Sequence, residues 1–150
     1  MTKLLRVLAV LVYSLVAQAE ELSPQLVGTW ATEDSVFEGE SLIGGTALYL
    51  NANGSGAMVG APLPVGRCPD GRVCTPIIGF KLSAVLEKNG TSLLISIAEG
   101  SQSMSLTARY DANKDVLIGQ FGNGSSTESH LIHRSSAVPE KLTGMLNDHP

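Results

Sequence analysis

The chain lacks a basic excess, a long apolar run and any sustained helical period before Pro139. Ten Lys and Arg stand against fourteen Asp and Glu, for a formal net charge of −4. Nucleic acid rewards a basic face, so the charge balance argues against it as a partner. The only extended apolar stretch, Val7 to Val16, is interrupted by Tyr13 and Ser14. Crossing a bilayer takes about 20 apolar residues, so the stretch is too short to span one. No cysteine directly follows it, and nothing there suggests a lipid anchor.

What is present at the start has the three parts of an export signal. Lys3 and Arg6 supply the positive region, Val7 to Val16 the apolar one, and Ala17-Gln18-Ala19 a small-x-small cleavage pattern. The expected organisation is a cleaved signal over 1–19 and one domain over 20–150, bound for the periplasm or the exterior. Removing 19 of the 150 residues leaves 131, enough for an independent core, and shifts the net charge from −4 to −6. In an oxidising compartment the two cysteines, Cys68 and Cys74, are expected to pair across a Pro69-Asp70-Gly71 turn. Their CxxxxxC spacing differs from the CxxC of redox-active pairs, which points to a structural bridge.

Short alternating runs fill the rest. Met104, Leu106, Ala108 and Tyr110 alternate with Ser103, Ser105, Thr107 and Arg109, the period of a strand with one buried face. Phe80, Leu82, Ala84 and Leu86 repeat the pattern, as do Leu93, Ile95 and Ile97. Asn53-Gly54, Asn89-Gly90, Asn123-Gly124 and the polar 111–114 segment mark tight turns between them. Strands are expected near 26–33, 42–50, 56–61, 77–87, 92–99, 103–110, 115–121 and 128–134. Eight consecutive antiparallel strands predict an all-β, up-and-down barrel in which closure removes exposed edges, with a two-sheet sandwich as the alternative. A short C-terminal tail or helix follows Pro139.

Leu26-Val27-Gly28-Thr29-Trp30 opens the first expected strand. It resembles the GxW signature of the lipocalin-like (calycin) proteins, small secreted barrels in which the tryptophan plugs one end. The resemblance implies structural roles for Gly28 and Trp30. It further implies that Arg134, on the last strand, lies across the indole in a cation–π contact. The second motif of that family, a TDY-type turn, has only a distant echo in Tyr110-Asp111.

Chemistry-bearing constellations are sparse. His130 and His133, three apart on an expected strand, point to opposite faces and suit one zinc ion poorly; His149 lies in the tail. Asp111, Asn113 and Asp115 begin like a calcium loop, but Val116 and Gly122 stand where that loop needs Gly and Glu. Gly54, Gly56 and Gly60 precede a strand-like run instead of the helix a nucleotide loop requires. No GxSxG elbow occurs, and Glu38 and Glu40 sit in an expected loop without a partner base. Asn53, Asn89 and Asn123 also begin N-x-Ser/Thr sequons; with a signal of bacterial style they read as turns. No catalytic residue, metal site or cofactor is therefore assigned.

The leading expectation is a binding module. An eight-stranded barrel holds its own side chains or one small ligand. Tyr49, Phe80, Met104, Tyr110 and Phe121 are the bulky residues expected near a small apolar ligand. The alternative is an envelope protein-interaction or inhibitor module presenting the stapled loop 63–76, with Arg67 and Arg72 at its contact surface.

Overall fold

A computed structural model describes residues 21–87, 90–99, 102–120, 128–140 and 142. Nine strands follow one another: β1 (Gly28–Ala31), β2 (Val36–Glu38), β3 (Ser41–Leu50), β4 (Ser55–Ala61), β5 (Ile78–Leu86), β6 (Ser92–Glu99), β7 (Gln102–Asp111), β8 (Val116–Gly119) and β9 (Ser129–Ser135). From β3 to β9 each pairs antiparallel with the next, and β1 pairs with both β9 and β3. Eight strands thus close a barrel, and the closure rules out the sandwich. The expected signal at 1–19, the Asn123-Gly124 turn and Phe121 lie outside the described residues. Glu140 and Leu142 are helical, with the Leu142 amide donating to the Pro139 carbonyl at 2.9 Å. The rest of the expected C-terminal segment also lies outside.

Alternation decides what fills the interior. Leu93, Ile95 and Ile97 of β6 point inward with Leu82 and Ala84 of β5, Ala108 of β7, Leu117 of β8 and Leu131 of β9. Trp30, Leu48, Leu50, Leu93, Ile95, Leu117 and Leu131 are fully buried. Burial of each Leu or Ile contributes roughly 1.5–3 kcal/mol relative to exposure. Leu22 and Leu26, ahead of β1, close one end of this core, and the Leu22 amide is tied to the Ala52 carbonyl at 2.8 Å.

The sequence reading runs one strand through 26–33 and leaves Glu38 in a loop. The structure instead stops β1 at Ala31 and resumes pairing along β3 as β2, which ends at Glu38. Ser35 bridges the break. Its Oγ accepts the Thr46 amide at 3.0 Å and donates to the Thr46 carbonyl at 2.9 Å, with the Thr32 hydroxyl 2.7 Å away. Opposite it, Gly45 has φ +93° and no room for a side chain: a Cβ would lie 2.8 Å from the Ser35 Cα. β3 bends sharply here. The Tyr49 hydroxyl accepts the Leu42 amide at 3.3 Å, whereas a straight strand separates residues seven apart by about 23 Å. The β2–β3 hairpin consequently folds back over the barrel's outer wall. There Phe37 and Leu42 join Ala31, Ala47, Tyr49, Ala57 and Val59, with Val138 and Leu142, in a second apolar cluster.

Candidate functional site

The two ends of the barrel differ. At the first, Trp30 is fully buried and its Nε1 donates to the Leu26 carbonyl at 3.0 Å. Gly28 allows the chain to enter: φ is +126°, and a Cβ would meet the Ser135 carbonyl oxygen and lie 2.8 Å from the Ser136 Cα. Arg134 does not lie across the indole as the resemblance implies. Leu131 faces inward, so His133 does too, and Arg134 points out to sit 5.1 Å from the Phe37 ring centroid. The indole face is taken by His133, stacked with centroids 4.5 Å apart and planes 16° from parallel. Tyr110 packs edge-on at 5.8 Å. Asp115 ties the group together. Its carboxylate accepts the Tyr110 hydroxyl at 2.9 Å and lies 3.1 Å from His133 Nδ1. Asp115 holds φ at +53°, a conformation that Asp tolerates better than most residues. Burial, then the Asp115 carboxylate, push the Tyr110 hydroxyl above its ordinary value of 10.0. Among the described residues His133 Nε2 is buried without a hydrogen-bond partner, and Trp30 covers one face of the ring. This end is a plug.

Among the described residues, the other end is open. Inward-facing side chains along β5 grow more exposed toward it, from buried Leu82 through half-buried Phe80 to Ile78, which is 60% exposed. β7 repeats the gradient from buried Ala108 through Leu106 to Met104, 55% exposed. Met104 is opposite Ile97 and Ile78 opposite Gly60, so both belong to the interior pleat. Met58 of β4 also faces this space, opposite Phe80.

Among the expected ligand residues, Phe80 and Met104 line this mouth, whereas Tyr110 belongs to the plug. Tyr49 is misplaced by the sequence reading. Leu48 and Leu50 take the interior, which sends Tyr49 to the outer wall beneath the folded-back hairpin. Burial there raises its hydroxyl above the ordinary 10.0, partly offset by the Leu42 amide. Ile78 and Gly60 were missed. Their signal was present in the alternation of β5 and β4, but an isoleucine at a strand end and a glycine near a turn carry no mark of their own.

Cys68 and Cys74 form a disulfide with Cα atoms 5.5 Å apart. It staples a small hairpin in which the Cys68 amide donates to the Arg72 carbonyl at 2.8 Å and the Cys74 amide to the Gly66 carbonyl at 2.9 Å. Arg67 is spent on the hairpin itself. It donates to the Gly71 carbonyl at 3.0 Å and lies 4.0 Å from Glu38. Arg72 pairs with Asp70 while its side chain stays 82% exposed.

A small external cleft lies between the folded-back hairpin and the barrel wall, lined by Thr29, Phe37, Gly39, Glu40, Arg134 and Ser135. Among the described residues no three His, Cys, Asp or Glu side chains gather as metal ligands, and no helix is long and apolar enough to cross a membrane. Comparison with known proteins finds no match to a family model, a curated protein or a solved structure.

Proposed function

We propose that this chain is an exported, lipocalin-like binding protein that takes a small apolar ligand into the open end of its barrel. The observation that carries the reading is the exposure of Ile78 and Met104 on the interior pleat, at the end opposite the Trp30 plug. An apolar side chain turned toward an interior yet left in water marks a concave apolar surface, the usual setting of a small-molecule site. The disulfide suits the periplasm or the exterior, and the N-terminal pattern of charge, apolar run and Ala-Gln-Ala supports delivery there. Native mass spectrometry of the mature protein, before and after organic extraction, tests the reading. A reproducible added mass that extraction removes is expected; a bare protein that also fails to take up added apolar compounds refutes it.

A second reading rests on Arg72. The stapled hairpin holds this cation out into solvent with little entropy left to lose on binding, as suits an envelope interaction or inhibitor module. Arg72→Ala leaving every captured partner in place removes it.

A further inference from the structure

Two glycines of β4 mark where the barrel changes from filled to open. Ala57 and Val59 belong to the outer cluster and Met58 to the interior one, so Gly56 and Gly60 both face inward. At Gly56 an added Cβ would lie 2.8 Å from Leu82 Cδ1 and 3.3 Å from Leu50 Cδ2, and would also meet the Tyr49 carbonyl oxygen. At Gly60, four residues on, it would meet nothing within 4 Å among the described residues. The partners of Gly60 are Thr46 on one side and the exposed Ile78 on the other, which places this free space at the mouth. Along β5 the same transition runs from Ile78 to buried Leu82. Four residues of strand, tilted as a barrel requires, give a depth on the order of 10 Å. Among the described side chains, Met58, Ile78, Phe80, Met104 and Leu106, together with Thr46, line that depth, and none of these six carries a formal charge.

We infer that the ligand inserts an uncharged aliphatic end only about 10 Å deep, into the space beside Gly60, and that Gly60 sets the width it can have. The inference rests on the binding reading above. The filled layer formed by Leu82, Leu50 and Ile97 is the floor of the site, and any polar or charged end of the ligand remains in the water outside the mouth. Flexible Met58 and Met104 adapt the wall to different chains.

The test is calorimetric titration of the mature, disulfide-intact protein with the 1-alkanols from hexanol to hexadecanol. Each added methylene that finds apolar surface tightens binding about fourfold. The expected series rises at that rate and then stops gaining once the chain reaches the floor. Gly60→Phe fills the space and is expected to weaken every alkanol at least tenfold, while its Trp30 emission and melting temperature stay those of a folded barrel. Gly60→Ala, which fits the free space, guards against misfolding of the larger variant and is expected to shorten the rising part of the series. Affinity that climbs without a break to hexadecanol, or that is indifferent to both substitutions, overturns the inference and leaves the binding reading standing. Absence of any alkanol binding to the unsubstituted protein overturns both.

Discussion

Gly56→Ala and Gly60→Ala place the same methyl group on one face of one strand and should move stability in opposite directions. At Gly60 the methyl enters free space, and replacing a strand glycine removes unfolded-chain entropy, so the variant should gain roughly 0.5–1 kcal/mol. At Gly56 the methyl overlaps Leu82 and Leu50 and presses on the Tyr49 carbonyl, which belongs to the paired backbone of β3. A side chain can yield, but that carbonyl is fixed by the ladder. Overpacking of this kind costs about 1–3 kcal/mol. The two variants should therefore differ by about 1.5–4 kcal/mol, equivalent to about 10 °C in melting temperature for a domain of this size. Urea unfolding followed by far-UV circular dichroism, with the disulfide intact, measures the difference, and an unchanged slope confirms that compactness is preserved. If both alanines shift stability in the same direction by similar amounts, the interior is uniformly packed and the floor between these two positions does not exist.

Three further outcomes follow from the geometry. His133→Ala should cost about 2 kcal/mol and shift Trp30 emission, because it strips a stacked ring from the indole, whereas Arg134→Ala should leave the emission unchanged. The raised value of Tyr49 means that above pH 10 the unfolded chain gives up a proton that the folded one keeps. Stability should be full below pH 10 and fall as the pH rises beyond it, and Tyr49→Phe should flatten that fall in urea titrations at pH 9 to 11. Replacing both Cys68 and Cys74 by Ala opens a short loop, a loss of about 2 kcal/mol by loop entropy. The barrel should persist without the bridge, because neither position 68 nor 74 lies among the buried core residues and the Arg67–Val73 bridge still pairs the hairpin.

The barrel was legible because its strands alternate and its turns carry Asn-Gly and Asp-rich signals. Asn53 shows why: its side chain accepts the Ser55 amide at 3.0 Å while Gly54 takes φ +79°. What was not legible came from tertiary bending. Nothing in Gly44-Gly45 announces that β3 turns a corner there, because glycine pairs occur equally in loops. The corner depends on Ser35, ten residues earlier, whose hydroxyl replaces a strand neighbour that is not there. The misplacement of Tyr49 has the same origin: ranking bulky residues by size selects it, while alternation against Leu48 and Leu50 sends it to the outer wall. Arg134 was selected by resemblance, and the inward register of Leu131 shows that the position beside Trp30 belongs to His133 instead.

Exposed apolar residues are common on any protein, so the weight given to Ile78 must rest on its surroundings. The outer wall carries Val85 and Leu94, 54% and 40% exposed, but these two face each other across β5 and β6 and shelter one another as a cross-strand pair. Among the described residues Ile78 has no such cross-strand shelter, because its partner on β4 is Gly60. Elsewhere the chain places hydroxyls where strands meet water, as at Ser83, Ser105 and Thr107 on β5 and β7. A serine at 78 would fit the same backbone with less apolar surface in solvent. The chain instead combines an isoleucine that lacks cover with a glycine that leaves room beside it. Ile78 to Gly60 is an unfavourable pair for an empty barrel and a favourable one for a barrel whose mouth is covered by an apolar guest.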